Sequence, residues 1–396
     1  MKQLGQRILW QRARDYLSRY RPLIIGIAGS TGKTMTKDAI KLSLEADLHV
    51  RAAAGSYNTP IGIALSLLGL TARQARLHWI RLLAGSRLKE LTAEEPNLII
   101  LELGADRPGD IDFLANKLPF TIGVVTNVQS THLRLFSSLD MVAHEMMSLI
   151  VDLPRTGHAV LNADDPQVSG MAKHSRAPAI FFGESKDADV RLLRAQRLNS
   201  HGFACEIAMA GAIHELHLPH VVARHQLSNV LAALAVAVAL EANIKEALWR
   251  LPALLPPPGR LQLLAGCHGS HLLDDSYSAS PESTLAALDT LLELPARRRI
   301  AILGDMLDLG LQSLPHHQQI GKRAAQVADV LVTVGDNMRA AAGAALKTDD
   351  TDVHHFDDSR NVGKWLANFL KEDDLVLIKG SRDMHMEEVV KRLVKT

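Results

Sequence analysis

The sequence predicts an α/β protein in two units: a P-loop-containing central domain on a mostly parallel sheet, then a C-terminal Rossmann-like α/β domain. Three observations carry that prediction. A glycine loop, Gly26-Ile27-Ala28-Gly29-Ser30-Thr31-Gly32-Lys33-Thr34, follows the apolar run Leu23 to Ile27 and opens a helix-like stretch. Apolar runs of strand length then recur at Leu98–Leu103, Thr121–Thr126, His158–Asn162 and Ala179–Phe182. Helical patterns lie between them, the alternation of a parallel sheet with helices on its faces. Finally, Leu255-Pro256-Pro257-Pro258-Gly259 breaks the pattern and a second alternation begins beyond it. Three prolines cannot continue a helix and stiffen the connection.

Taken in order, residues 1–22 read as an amphipathic helix, with Leu4, Ile8, Leu9 and Tyr16 set among basic residues. It lacks the uninterrupted apolar core of a signal peptide and is expected to rest on a membrane or a partner. Residues 23–257 form the central domain. Within it, Val190 to Leu218 shortens into alternating segments around Gly202 and Gly211, which predicts a small antiparallel addition, and Leu227 to Glu241 is a helix. Residues 258–396 form the second domain, with strands near Ser270–Asp274, Arg299–Gly304, Val330–Gly335 and Leu375–Gly380.

Composition excludes several classes. The chain has 396 residues, 47% hydrophobic and 22% charged, with a formal net charge of +1, which argues for two or three folded domains and against disorder. No basic run exceeds short clusters such as Arg297-Arg298-Arg299, read as a solvated helix-to-strand corner, so nothing points to nucleic acid. Cys205 and Cys267 are far apart and outside any C-x-x-C pair, which argues against zinc and for unpaired thiols in a reducing compartment. The longest apolar stretch, Val230 to Leu240, is far short of the roughly twenty residues a membrane span needs. A cytoplasmic location follows as the expectation.

The loop carries the most specific chemistry. A helix N-terminus presents unpaired N–H groups and a positive dipole end, glycines admit phosphate oxygens, Lys33 reaches terminal phosphates and the Thr34 hydroxyl can ligate Mg²⁺. The glycines at 26 and 29, with Ile27 between, depart by one residue from the standard spacing. The bland alternative is a plain βα turn. Glu102 ends one apolar run and His132 follows another, so both fall at carboxyl ends of strands, where ligands bind in open parallel sheets. A carboxylate, a neutral imidazole and phosphate oxygens are an adequate Mg²⁺ set. Alone, His132 would read as a capping histidine; in register with Glu102 and the loop it reads as a ligand.

These residues resemble the Mur ligase family, and within it the MurF branch. The likeness runs from the loop Gly29-Ser30-Thr31-Gly32-Lys33-Thr34 through Asn58-Thr59-Pro60-Ile61-Gly62, Glu102-Leu103-Gly104-Ala105-Asp106, Thr126-Asn127, His132-Leu133 and Asn162-Ala163-Asp164-Asp165. It continues through His225-Gln226-Leu227-Ser228-Asn229, Pro258-Gly259-Arg260, Asp274-Asp275-Ser276-Tyr277, Leu303-Gly304-Asp305-Met306 and Lys379-Gly380-Ser381-Arg382. The resemblance implies an ATP-dependent amide ligase: ATP phosphorylates a carboxylate, an amine attacks the acyl phosphate, and a tetrahedral intermediate expels phosphate. It further implies catalytic roles for Lys33, Glu102, His132 and Arg260 and nucleotide contacts by the loop, Asn229, Arg260, Asp274, Asp275 and Tyr277. Asn58, Thr59, Lys379 and Arg382 would bind substrate. Thr34, Glu102 and His132 would hold Mg²⁺, with His132 at a second ion. The residues leave Arg260 open between a phosphate clamp and a linker arginine, and Lys379 between a site residue and a strand-end surface lysine.

Two departures qualify the resemblance. MurF enzymes carry a domain ahead of the loop that grips a uridine nucleotide, whereas 22 residues precede the first strand here, so another surface or a protein partner is expected in its place. The family's carbamylated lysine falls on Met146, and a thioether neither takes up CO₂ nor suits hard Mg²⁺. On a helix His144 lies about 200° from position 146 and Glu145 about 100°. Compensation through Glu145, or a carboxylate elsewhere, is the expectation. Ser278 and Ser280 stand where asparagines are usual. Three readings stand at this point: a MurF-like ligase of peptidoglycan or related envelope synthesis; a Mur-type ligase for another acid, such as a poly-γ-glutamate-like polymer; and a catalytically impaired nucleotide-binding partner protein.

Overall fold

The computed structural model describes residues 2–53, 58–71, 95–105, 107–129, 133–198, 202–348 and 351–395. Among these, nine strands form the first sheet: β1 (Leu23–Ala28), β2 (Val50–Ala52), β3 (Leu98–Glu102), β4 (Ile122–Val125), β5 (His158–Asn162), β6 (Ala179–Gly183), β7 (Val190–Arg197), β8 (Phe203–Met209) and β9 (Ala212–Leu218). Their order is β2-β3-β1-β4-β5-β6-β7-β8-β9, parallel up to β7 and antiparallel across β7, β8 and β9. The antiparallel addition expected around Gly202 and Gly211 is present, both glycines taking positive φ at its turns.

Why β1 and β3 are apolar along their length is plain from their surroundings. Successive side chains of a strand point to opposite faces, and both faces here are covered. Ile24, Ile99 and Leu101 enter one core with the helices Lys2–Tyr20, Pro60–Leu67 and Leu139–Val151. Ile25, Ile27, Leu98 and Ile100 enter the other with the helices Lys33–Leu44 and Leu227–Ala239. Beyond its first turn, from Val230 on, the latter helix is apolar on every face because it is almost wholly buried. No helix among the described residues is long and apolar enough to cross a membrane.

A second sheet holds β10 (Gln262–Ala265), β11 (His271–Asp275), β12 (Arg298–Gly304), β13 (Val330–Val334), β14 (Asp352–Phe356) and β15 (Asp374–Lys379), in the order β10-β11-β15-β12-β13-β14. Only β10 runs antiparallel. Register decides what meets at the strand ends. Ile27 pairs with Glu102 in the first sheet, and Asp275 pairs with Lys379 in the second.

Two expectations need correction, and three strands were not anticipated. The N-terminal helix buries Leu9, Trp10, Ala13, Tyr16 and Leu17 in the first core, with Arg51 donating to the Tyr16 hydroxyl at 3.3 Å, so its apolar face serves this domain rather than a membrane or partner. Two residues of the arginine cluster are engaged. Arg298 forks onto Asp374 at 2.9 and 2.6 Å, and Arg299 donates to the carbonyls of Leu291, Leu292 and Leu294 at the end of the helix Pro281–Glu293. Strands β2, β10 and β14 escaped the sequence because they are short or polar sheet edges without a continuous apolar run.

Candidate nucleotide site at the domain junction

The phosphate loop leaves β1 at Ala28 and enters its helix at Lys33. Gly29 has φ +143° and a Cβ there would lie 1.9 Å from Thr126 Oγ1; Gly32 has φ +83° and a Cβ would lie 2.2 Å from Asn229 Oδ1. Both positions therefore require glycine. The segment after β4 brackets the loop: Thr126 Oγ1 donates to Thr31 O at 2.7 Å, Thr31 N to Asn127 Oδ1 at 3.0 Å, and Gln129 N to Ser30 Oγ at 2.8 Å. The Lys33 ammonium curls back onto the carbonyls of Gly29 and Ser30. Asn229 is buried behind the loop and accepts from Thr36 Oγ1 at 3.2 Å.

Behind the loop stands a buried charge. Thr34 Oγ1 donates to Glu102 Oε2 at 2.9 Å. The other oxygen, Oε1, lies 2.9 Å from Lys37 Nζ, an ionic contact whose angle leaves that oxygen without a directed hydrogen bond. Sequence reasoning missed Lys37. Its signal was the helical spacing of three from Thr34, which places both on one face. His132 lies outside the described residues.

Across the junction, Arg260 stacks 4.1 Å from the centroid of Tyr277 and donates to Ser278 Oγ at 3.0 Å, while Arg382 lies 5.0 Å from the same centroid. Burial pulls the Arg260 guanidinium below its usual value, opposed by Asp275, Tyr277 and Glu102. Arg260 is thus no linker arginine in open solvent. Lys379 is buried too, donating to Asp275 Oδ2 at 2.6 Å and Ser278 O at 2.9 Å, which overturns the surface-lysine alternative. Asp274 braces the turn between the domains, accepting from Gly259 N at 3.1 Å and from Ser276 N and Oγ at 3.1 and 2.6 Å.

A cleft of about 450 Å³ opens beside the loop. Asn127, Asn162, His225 and Ser228 line it from the central domain, and Asp289 and Glu293 from the second. Thr59 and Asn58 sit at the far side of β3. Thr59 Oγ1 accepts from Gly62 N at 3.2 Å and caps the helix Pro60–Leu67, and the Asn58 carbonyl accepts from Gly104 N at 3.2 Å.

Met146 and Glu145 settle differently from expectation. Met146 is buried in the first core. Glu145 accepts from Gly109 N at 2.7 Å and Ile111 N at 2.6 Å, closing the N-terminus of the helix Asp110–Ala115. Its carboxylate is committed to backbone donors, so compensation through Glu145 does not hold. Among the described residues no group of three or more His, Cys, Asp or Glu is placed to hold a metal ion.

A glycine loop with a carboxylate behind its threonine, beside a cleft that a second α/β unit helps to line, defines a two-domain nucleotide-dependent enzyme. Residues 27–237 match the Mur ligase middle domain and residues 259–382 the Mur ligase, glutamate ligase domain. The chain belongs to the Mur ligase family, in its MurF-like branch, and is an ATP-dependent acid–amino acid ligase. The UDP-N-acetylmuramoyl-tripeptide–D-alanyl-D-alanine ligase of Mycobacterium tuberculosis is 31% identical, over 94% of this chain and 72% of the relative. The MurF ligase of Thermotoga maritima, solved in complex with ADP, superposes with a TM-score of 0.83 at 26% identity, over 98% of this chain and 83% of that one. Folylpolyglutamate synthase of M. tuberculosis shares the fold, with a TM-score of 0.70 at 17% identity over 97% and 95% of the two chains.

Proposed function

We propose that this ligase adds a D-alanyl-D-alanine-type dipeptide to the peptide carboxylate of a UDP-linked muropeptide, in the cytoplasm, with residues 23–257 and 258–396 as its two working domains. The observation that carries the reading is the Thr34–Glu102 contact behind the phosphate loop, with the Arg260 guanidinium near enough for the Glu102 charge to act on it. A carboxylate becomes an acyl donor only once it bears a good leaving group. In this reading the carboxylate oxygen attacks the γ-phosphorus of ATP, the bond to the bridging oxygen breaks, and ADP leaves. The incoming amine then attacks the acyl carbon, loses a proton, and the tetrahedral intermediate expels phosphate.

The chain's own groups supply the fixed charge this requires. Loop N–H groups and the helix N-terminus hold the phosphates. Lys33 exchanges its carbonyl partners for phosphate oxygens, and Arg260, oriented by Tyr277 and Ser278, faces the transferring group. Lys379 and Arg382 offer cations to the carboxylate end of the amine substrate. The cleft beside His225 and Ser228 takes the nucleoside. Thr34 and Glu102 fit Mg²⁺: both present hard oxygens, one is anionic, and Glu102 Oε2, on the Thr34 side, has a second lone pair beyond the one the Thr34 hydroxyl takes. When bound there, the ion would neutralise phosphate charge. Met146 offers no hard donor, so no step is assigned to a second ion.

Burial of Met146 also favours a second reading, a nucleotide-binding protein with impaired catalysis. One experiment separates the two. Phosphate release from ATP is measured over a panel of acids and amines, with and without UDP-linked muropeptide, for wild type and Lys33→Ala. Release that requires both substrates and is abolished in a folded Lys33→Ala protein is expected. Undiminished ligation by that variant defeats the phosphate-loop reading, and no release with any pair by wild type favours the impaired protein.

A further inference from the structure

We infer that Lys37 is a positioning residue for Glu102, a built-in cation that aims the carboxylate at Thr34 and stands in for the divalent ion until the ion arrives. The inference rests on the reading of Glu102 as an ion ligand. Lys37 lies on the loop helix three residues beyond Thr34, so one helix face presents both groups to the same carboxylate. Its Nζ is 2.9 Å from Glu102 Oε1, 3.0 Å from Ala53 O and 3.6 Å from Asp38 Oδ1. Thr34 fixes Oε2 at 2.9 Å. With one oxygen held from each side, the carboxylate cannot rotate about its terminal bond.

The pair is no surface salt bridge. The side chains of Lys37 and Glu102 are 3% and 2% exposed. A buried ion pair adds little net stability over an apolar pair of equal volume, whereas removing one partner is strongly destabilising because it strands the other charge. Packing stability alone therefore does not account for an ammonium here. Geometry does: the ammonium balances the carboxylate from the core side and leaves Oε2 turned toward the loop.

The test measures melting of the full chain without nucleotide, with and without Mn²⁺ as the probe ion, for wild type, Lys37→Met, Glu102→Gln and Lys37→Met/Glu102→Gln. Without ions Lys37→Met is expected to melt about 6 °C or more below wild type, from the stranded carboxylate. Mn²⁺ should recover most of that loss while moving wild type little. The double variant, with neither charge, should melt near wild type and ignore Mn²⁺; it carries the comparison if Lys37→Met does not fold in the absence of ions. A Lys37→Met deficit untouched by Mn²⁺, or no deficit at all, overturns the inference and leaves Lys37 as a packing residue. Binding of Mn²⁺–ADP, followed by calorimetry on wild type and Glu102→Gln, tests the underlying reading separately. If Glu102→Gln binds as wild type does, the ligand assignment itself fails. If it binds weakly and Lys37→Met is not rescued, only the role of Lys37 fails.

Discussion

Glu145→Ala distinguishes a structural carboxylate from a catalytic one. Glu145 is buried and accepts two backbone N–H groups, from Gly109 at 2.7 Å and Ile111 at 2.6 Å. Hydrogen bonds to a charged acceptor contribute about 1.5–3 kcal/mol each, and an anion at a helix N-terminus adds about 0.3–1 kcal/mol. The alanine variant leaves both donors without their partner. Allowing for water entering the gap, the loss is about 3 kcal/mol, which lowers the melting temperature by roughly 6–12 °C for a domain of this size. Glu145→Gln keeps one acceptor oxygen and should lose about half as much. The assay is thermal melting of both variants beside a titration of the Mg²⁺ needed for phosphate release. A large melting shift with an unchanged Mg²⁺ requirement is expected. If Glu145→Ala melts like wild type while its Mg²⁺ requirement rises several-fold, the carboxylate is an ion ligand after all, and the capping argument is refuted.

Two further outcomes follow from the buried neighbourhood of the site. Met146→Lys should lower stability by about 3 kcal/mol or more, since it exchanges about 1.5–3 kcal/mol of apolar burial for a buried ammonium, and should show no bicarbonate-dependent gain in phosphate release; a large gain across a bicarbonate titration contradicts this. His317 is fully buried, donating from Nδ1 to Ser313 O at 2.7 Å and accepting from Met306 N at Nε2 at 3.1 Å, which fixes a neutral ring. Burial is the main cause holding its pKa below 6.5. Between the lowered folded value and the unfolded one the unfolded chain binds more protons, so stability is complete above about pH 6.5 and falls as pH drops toward the folded value. Melting curves from pH 7.5 to 5 should show a shallower loss in His317→Gln than in wild type. Equal slopes would remove His317 from the acid response.

Contiguous residues specified the nucleotide loop. Strand, glycines, lysine and helix follow one another along the chain, and each step is governed by local backbone geometry, so Gly29 to Thr34 could be read directly and Gly29 and Gly32 carry the positive φ the loop demands. Glu102 was legible for a similar reason: it ends an apolar run, and the carboxyl end of a central strand has only one place to be in an open parallel sheet. The antiparallel ribbon and the proline-rich break before Gly259 were likewise written in local pattern.

What the sequence withheld were the partners of charged and amphipathic groups. An amphipathic N-terminal helix has the same pattern whether its apolar face meets a membrane, a partner or its own domain; only packing against Ile63, Leu67 and the sheet decided for the domain. Glu145 gave no signal of its task and Lys37 only its helical spacing from Thr34, because each acts on a group brought near by sheet register and helix docking. Local propensity fixes which elements form. Which buried charge meets which donor is set by contacts among distant segments, and a buried charge must find such a partner, so the tertiary structure alone assigned the cap to Glu145 and the counter-charge to Lys37.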